Sequence, residues 1–167
     1  MVRRTSYDFN VDIQNEIYEQ RFAEHCLKKY KISRDYFPDW DVKDLLTGKT
    51  YEVKRDFWFK HNGNILVEEY FNLEKRIKGW IYHTKADYYV VFFEENEYYI
   101  VSMEEVKDKF FNRDKYGIEW QCKDILQKQG FHTRNWVTKL VPNFTFTMHK
   151  ISKDNKVKCK TVWEWMS

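Results

Sequence analysis

The stretch "KDLLTGKTYEVKRD", Lys43 to Asp56, carries two patterns that point to different chemistry. Gly48-Lys49-Thr50 has the ending of a phosphate-binding loop, and Glu52-Val53-Lys54 has the form of an acid–x–lysine pair. A phosphate-binding loop needs a glycine five residues before the glycine of Gly-Lys-Thr, and a helix after it whose amides hold the phosphates. Lys43 stands at the first position, Asp44 would repel phosphate, and Tyr51-Glu52-Val53-Lys54-Arg55 reads as a strand. Gly48-Lys49-Thr50 is therefore read as a turn.

Glu52 and Lys54 are two apart, so on a strand they share one face while Val53 points to the core. A turn at 46–49 would fold the preceding strand back and carry Asp41 toward Glu52. Carboxylates beside a lysine suit Mg²⁺ or Mn²⁺, which take hard oxygens and leave sites for water and phosphate. A lysine there could orient or deprotonate that water. An E-x-K tripeptide alone is weak, because a charged chain contains many as solvent-facing ion pairs.

Outward from this stretch, residues 10–30 read as a helix with Asn10 as its N-cap and an apolar stripe of Ile13, Ile17, Ala23 and Leu27. Residues 39–45 and Thr50 to Lys54 read as paired strands. Asn62-Gly63 is a turn signal before a strand from Asn64 to Tyr70. Tyr88 to Phe93 and Glu97 to Val101 read as two more strands. Ser102 with Glu105 is a capping box that starts a helix over Met103 to Phe111. Residues 119–130 suggest a helix stopped at Gly130, Val141 to His149 a strand, and the final TVWEWMS a strand in which Trp163 and Trp165 share a face. The order predicts an α/β (α+β) domain around a mixed sheet flanked by helices.

The 167 residues fit one domain, with a core over about 10–111 and a C-terminal extension over about 112–167. Only 5 Gly and 2 Pro leave no linker or low-complexity tract. A net charge of +3 permits nucleic-acid binding without arguing for it. The start lacks an apolar signal segment and no apolar run could span a bilayer, so a cytoplasmic protein is expected. Three widely spaced cysteines, Cys26, Cys122 and Cys159, read as free thiols. The tract KQGFHTRNW, Lys128 to Trp136, mixes basic and aromatic groups in a way that suits phosphate contact and base stacking.

Pro38-Asp39-Trp40-Asp41 followed by Glu52-Val53-Lys54 resembles the core of the PD-(D/E)xK nuclease superfamily, whose fold is restriction-endonuclease-like. GNILVEE (Gly63 to Glu69) and GWIYHTKADYYVVF (Gly79 to Phe93) look like a phage-type subgroup, with Trp80 and Lys78 as departures from its pattern. The resemblance covers about Phe37 to Val101 and, more weakly, the first helix. It implies a metal-dependent endodeoxyribonuclease, phage- or virus-encoded. Asp41, Glu52 and the Val53 carbonyl would hold Mg²⁺ or Mn²⁺, and Lys54 would be the catalytic lysine. Glu19 would help from the first helix, with Glu16 as the open alternative. Asp39, Glu68 and Lys85 are further candidates, and Arg55, Lys85 and Arg134 would meet DNA. A homodimer would suit cutting two strands. A catalytically silent nucleic-acid-binding or assembly module on the same fold is the competing expectation.

Overall fold

Gly48, at φ 75, makes the turn that the opening stretch called for. The Asp44 carboxylate accepts the Leu46 and Thr47 amides at 2.9 and 3.4 Å, which closes the loop from inside. The computed structural model describes residues 6–35, 37–152 and 157–160, with side chains from 14 to 152 within those ranges. Its elements begin with α1 (Ser6–Cys26), β1 (Tyr30–Ile32), β2 (Val42–Asp44) and β3 (Thr50–Arg55). Next come α2 (Phe59–Asn62), β4 (Asn64–Asn72), β5 (Ile77–Lys78), α3 (Trp80–His83), β6 (Tyr88–Phe92) and β7 (Glu97–Ser102). The chain continues through α4 (Met103–Phe111), α5 (Arg113–Tyr116), β8 (Gln121–Leu126), β9 (His132–Lys139), β10 (Phe146–Ile151) and β11 (Val157–Lys160).

Among the described residues, seven strands form a mixed sheet in the order β1-β2-β3-β6-β7-β10-β11, in which only the β3–β6 pair is parallel. A parallel neighbour needs a crossover. Here the crossover is α2, β4, β5 and α3, and β4–β5 joins β8 and β9 in a separate antiparallel sheet, β5-β4-β9-β8. The mixed sheet with its helices is the α/β (α+β) class expected from the sequence. One apolar cluster seats Phe22 and Ala23 of α1 against Val53, Val90 and Phe92. A second, around Tyr89, Val91, Tyr99, Phe110 and Leu140, joins the large sheet to α4 and the small sheet. Among the described residues no helix is long and apolar enough to cross a membrane.

Several local expectations change. Residues 121–126 are the strand β8, not a helix, and Gly130, at φ 84, ends a turn rather than a helix. The reason is tertiary: β9 offers β8 a full antiparallel ladder from Gln121↔Val137 to Leu126↔His132, which outweighs a modest helical preference. Asn10 lies inside α1, four residues past its first. Ile17 is exposed, and the packed stripe of α1 is Tyr18, Phe22, Ala23 and Cys26. The Ser102 hydroxyl does cap α4, accepting from the Glu105 amide at 3.5 Å. Trp163 and Trp165 lie outside the described residues.

Candidate functional site

The β2–β3 hairpin sets the register of the site. Val42 pairs with Tyr51, and the Asp41 amide donates to the Tyr51 carbonyl at 2.9 Å. Asp41 thus falls beside Glu52, one step beyond the last pair. Its Oδ2 accepts the Val53 amide at 2.8 Å and receives Lys54 Nζ at 3.3 Å. The same ammonium lies 2.7 Å from Glu52 Oε1. Asp41 and Glu52 are both buried, and Glu52 Oε2 is sealed from solvent with no hydrogen bond of normal geometry among the described residues.

Glu19 joins this group from α1. Phe22 and Ala23, three and four residues on, are buried, so the same helix face turns Glu19 inward at 8% exposure. Glu16 lines the mouth of the cleft but is exposed. Burial therefore separates the two glutamates that the sequence left open. The guanidinium of Arg34, mostly in solvent, stands 3.9 Å from Glu19.

Electrostatics follow from crowding. Burial, then the Asp41 charge, raise the Glu19 carboxyl to about 8. The same two causes raise Glu52 to about 7 against the pull of Lys54 and Thr84. Burial works against the Lys54 charge, but Asp41 and Glu52 outweigh it and hold its pKa above the usual lysine range. Asp41 and Glu52 thus share one half-buried ammonium, and the Glu19 carboxyl stands close enough to feel all three charges. If all ionised, the group would carry a surplus of negative charge in a low-dielectric place. Crowding therefore pushes the Glu19 and Glu52 carboxyls toward their protonated forms.

A cleft of about 570 Å³ opens above this floor, lined by both sheets. Glu68 of β4 enters it and accepts the Trp80 amide at 3.3 Å; burial raises its carboxyl. Gly79 permits that approach, because a Cβ there would stand 2.3 Å from the Glu68 carbonyl oxygen. Phe37, Phe71, Phe131, Trp58 and Trp80 line the walls. Phe131 belongs to the basic–aromatic tract noted in the sequence. Phe37, Phe71 and Trp58 have no local signal, because only the fold brings them to the cleft.

The remaining candidates scatter. Asp39 and Lys85 pair with each other at 3.5 Å on an exposed surface. Arg55 lines the cleft with its guanidinium 3.9 Å over the Phe57 ring. Arg134 is bound bidentately by Asp124, both contacts at 2.8 Å. Arg55, Lys85 and Arg134 therefore do not form one cationic track. Val53 is buried, with its amide on Asp41. Among the described residues no group of three or more His, Cys, Asp or Glu is arranged as a metal centre.

Comparison with known proteins redirects the reading. The chain is 26% identical over 152 residues to a 15,16-dihydrobiliverdin:ferredoxin oxidoreductase of Prochlorococcus marinus (strain MIT 9515), covering 89% of this chain. It spans 59% of that relative's length. No family model matches the chain. No solved structure matches it, so the fold class stands without a restriction-endonuclease-like core being confirmed. The relative is by name a redox enzyme. That similarity overturns the expectation of a PD-(D/E)xK nuclease, of Mg²⁺-dependent DNA hydrolysis, and of a silent nucleic-acid-binding module. The physical reason for the misreading is plain. An acid–x–lysine pair with a facing aspartate encodes a buried acid–base cluster, and such a cluster does not name its substrate.

Proposed function

We propose that the chain is a reductase-type enzyme whose cleft takes a small conjugated ligand of the open-chain tetrapyrrole class and supplies the protons of its reduction. The observation that carries this is the grouping of Glu19, Asp41 and Glu52 around Lys54 at the floor of an aromatic-walled cleft. The name of the Prochlorococcus relative supports the ligand class and a ferredoxin-type electron donor.

Saturating one double bond of such a ligand takes two electrons and two protons. The electrons come singly from two molecules of reduced donor, each oxidised by one electron. The protons come from Glu19 and Glu52, whose carboxyls burial and the Asp41 charge push toward the protonated form. As each carboxyl gives up its proton, Lys54 stabilises the carboxylate left behind. The buried floor keeps bulk water from the reacting atoms. Asp41 fixes the ammonium, since its Oδ2 is itself held by the Val53 amide.

The test is anaerobic. Purified protein, chemically reduced ferredoxin and biliverdin should show loss of the long-wavelength visible band. Glu52→Gln and Glu19→Gln should each slow it at least ~100-fold, the range of a lost proton donor. Absence of any spectral change with the unaltered protein would sink the proposal.

A second reading rests on Glu52 Oε2, which is buried with no hydrogen bond of normal geometry among the described residues. Mg²⁺ or Mn²⁺ held by Asp41, Glu52 and the Val53 carbonyl would supply the positive charge that protons otherwise provide. Lys54 Nζ now contacts both carboxylates, so it would have to shift. Calorimetric titration with Mg²⁺ separates the two: binding lost in Glu52→Gln favours the cation, and no heat favours protons.

A further inference from the structure

The turn end of the β2–β3 hairpin carries a surface that the cleft does not use. Leu45 and Leu46 are 45% and 63% exposed there. The β1–β2 ladder sets Lys31 directly opposite Lys43, and like charges so placed cost stability in a sheet. Two residues on, the Lys29 carbonyl accepts the Leu45 amide at 2.9 Å. Side chains alternate along a strand, so Lys29 and Leu45 share the face of Lys31 and Lys43, while Tyr30, Ile32 and Val42 pack toward α1. Lys49 returns beside them, its carbonyl accepting the Asp44 amide at 2.8 Å. Among the described residues none of these four lysines makes an ion pair. The neighbouring acids are committed elsewhere: Asp44 accepts the Leu46 and Thr47 amides, and Asp87 accepts the Thr50 amide and hydroxyl. Lysines on an edge strand such as β1 discourage strand-to-strand association. That purpose does not account for two leucines left in water at the end of the same ladder. An apolar centre within a cationic border is the make-up of a docking surface for an acidic partner.

We infer that this hairpin face docks an acidic protein, the one-electron donor of the reaction proposed above. The donor's identity rests on the reductase reading, and the acidic character of the partner rests on the lysines alone. The cations run along the flank of the hairpin, from Lys29 back to Lys31 and Lys43, rather than around its tip. A rigid acidic surface meets all of them at once. A tip pushed into a bilayer would take Leu46 and leave Lys31 behind. Leu45 lies four residues from Asp41, about 13 Å at 3.3 Å per residue. A protein seated here therefore holds one end of the hairpin whose other end is the cleft floor. At each visit the donor loses one electron, the ligand in the cleft gains it, and the oxidised donor leaves. The lysines speed the encounter, and burial of the two leucines fixes the pose.

The experiment uses the whole chain and an acidic two-iron ferredoxin, with calorimetry to read binding and anaerobic absorbance to read biliverdin reduction. Lys31→Glu combined with Lys43→Glu should weaken ferredoxin binding at least ~10-fold at low ionic strength. Added salt should shrink that difference, because it screens exposed charges. Leu46→Ser should weaken binding and leave its salt dependence as it was. Methyl viologen reduced by dithionite is a small carrier that needs no docking, so its reduction of biliverdin should be the same in every variant. Far-UV dichroism checks folding, and if the double variant fails to fold, Lys31→Glu alone carries the comparison. Ferredoxin binding that depends on the hairpin, with no reduction of biliverdin, supports the docking face and removes the tetrapyrrole reading. Ferredoxin-driven reduction that ignores all the variants overturns the docking face and leaves the reductase reading standing. No binding of ferredoxin overturns it, as does lysine-dependent binding to phosphatidylserine vesicles in place of ferredoxin.

Discussion

Two groups of charges in this molecule solve opposite problems. On the open surface of the small sheet, Arg134 meets Asp124 through two parallel contacts, and His132 meets Glu74 through its ring and its amide. Each acid there has a partner, and the Arg134 hydrogen bonds lower the Asp124 carboxyl as a plain ion pair should. At the cleft floor, Asp41 and Glu52 share Lys54 with Glu19 close by, and Glu52 Oε2 is buried with no hydrogen bond of normal geometry among the described residues. A complete pair needs nothing more.

The largest effect should come from Lys54→Met. It removes the ammonium from between Asp41 and Glu52 and should destabilise the fold by ~3 kcal/mol at pH 8. Thermal melting should show the loss shrinking at pH 6, as the carboxyls take up protons. An unchanged melting point at pH 8 would show that the floor is not charge-balanced by Lys54.

Gly79→Ala tests whether the cleft tolerates displacement. Its Cβ would stand 2.7 Å from Glu68 Cγ as well as against the carbonyl, and the carbonyl cannot retreat without moving β4. A loss of ~1–3 kcal/mol, the range of overpacking, is expected in chemical denaturation. A neutral result would mean that β4 shifts freely.

Glu52→Gln should have the opposite sign to Lys54→Met. A carboxyl whose folded pKa is raised from 4.5 to about 7 or 8 favours the folded state below its unfolded pKa. That contribution is lost as pH rises through the folded value. Stability should therefore fall between about pH 5 and pH 8. Glutamine mimics the protonated acid, so Glu52→Gln should match the unaltered protein at pH 5.5 and melt higher at pH 8.5. Coincident melting curves at the alkaline end would contradict the raised carboxyl.

Arg134→Ala should do least. The pair it breaks lies at the surface, so melting should shift by the equivalent of under ~1 kcal/mol. Binding of biliverdin should not change. A large loss of binding would make the small sheet's outer face part of the site.

The opening stretch was legible because its signals are local. Gly48 needs a left-handed turn, and Asp44 accepts the amides that follow it. The step of two between Glu52 and Lys54 puts both on one face. Ser102 announced α4 by the same kind of short-range chemistry. Residues 119–130 were not legible, because β8 exists only through its ladder to β9. The α1 stripe was placed only in part, with Ala23 and Leu27 packed inward and Ile17 not, for a related reason. Which face of a helix is buried depends on what packs on it, and here Phe22 and Ala23 meet Val53 while Ile17 faces water.

By itself the sequence determined the class of fold, the β2–β3 hairpin, and the company of Asp41, Glu52 and Lys54, since strand period and turn chemistry are properties of neighbouring residues. The tertiary structure decided which glutamate of α1 turns inward. It also gathered Phe37, Phe71, Phe131 and Trp58 into one cleft and raised the Glu19 and Glu52 carboxyls. Burial and mutual charge act through space, between residues far apart in the chain, so no local pattern carries them.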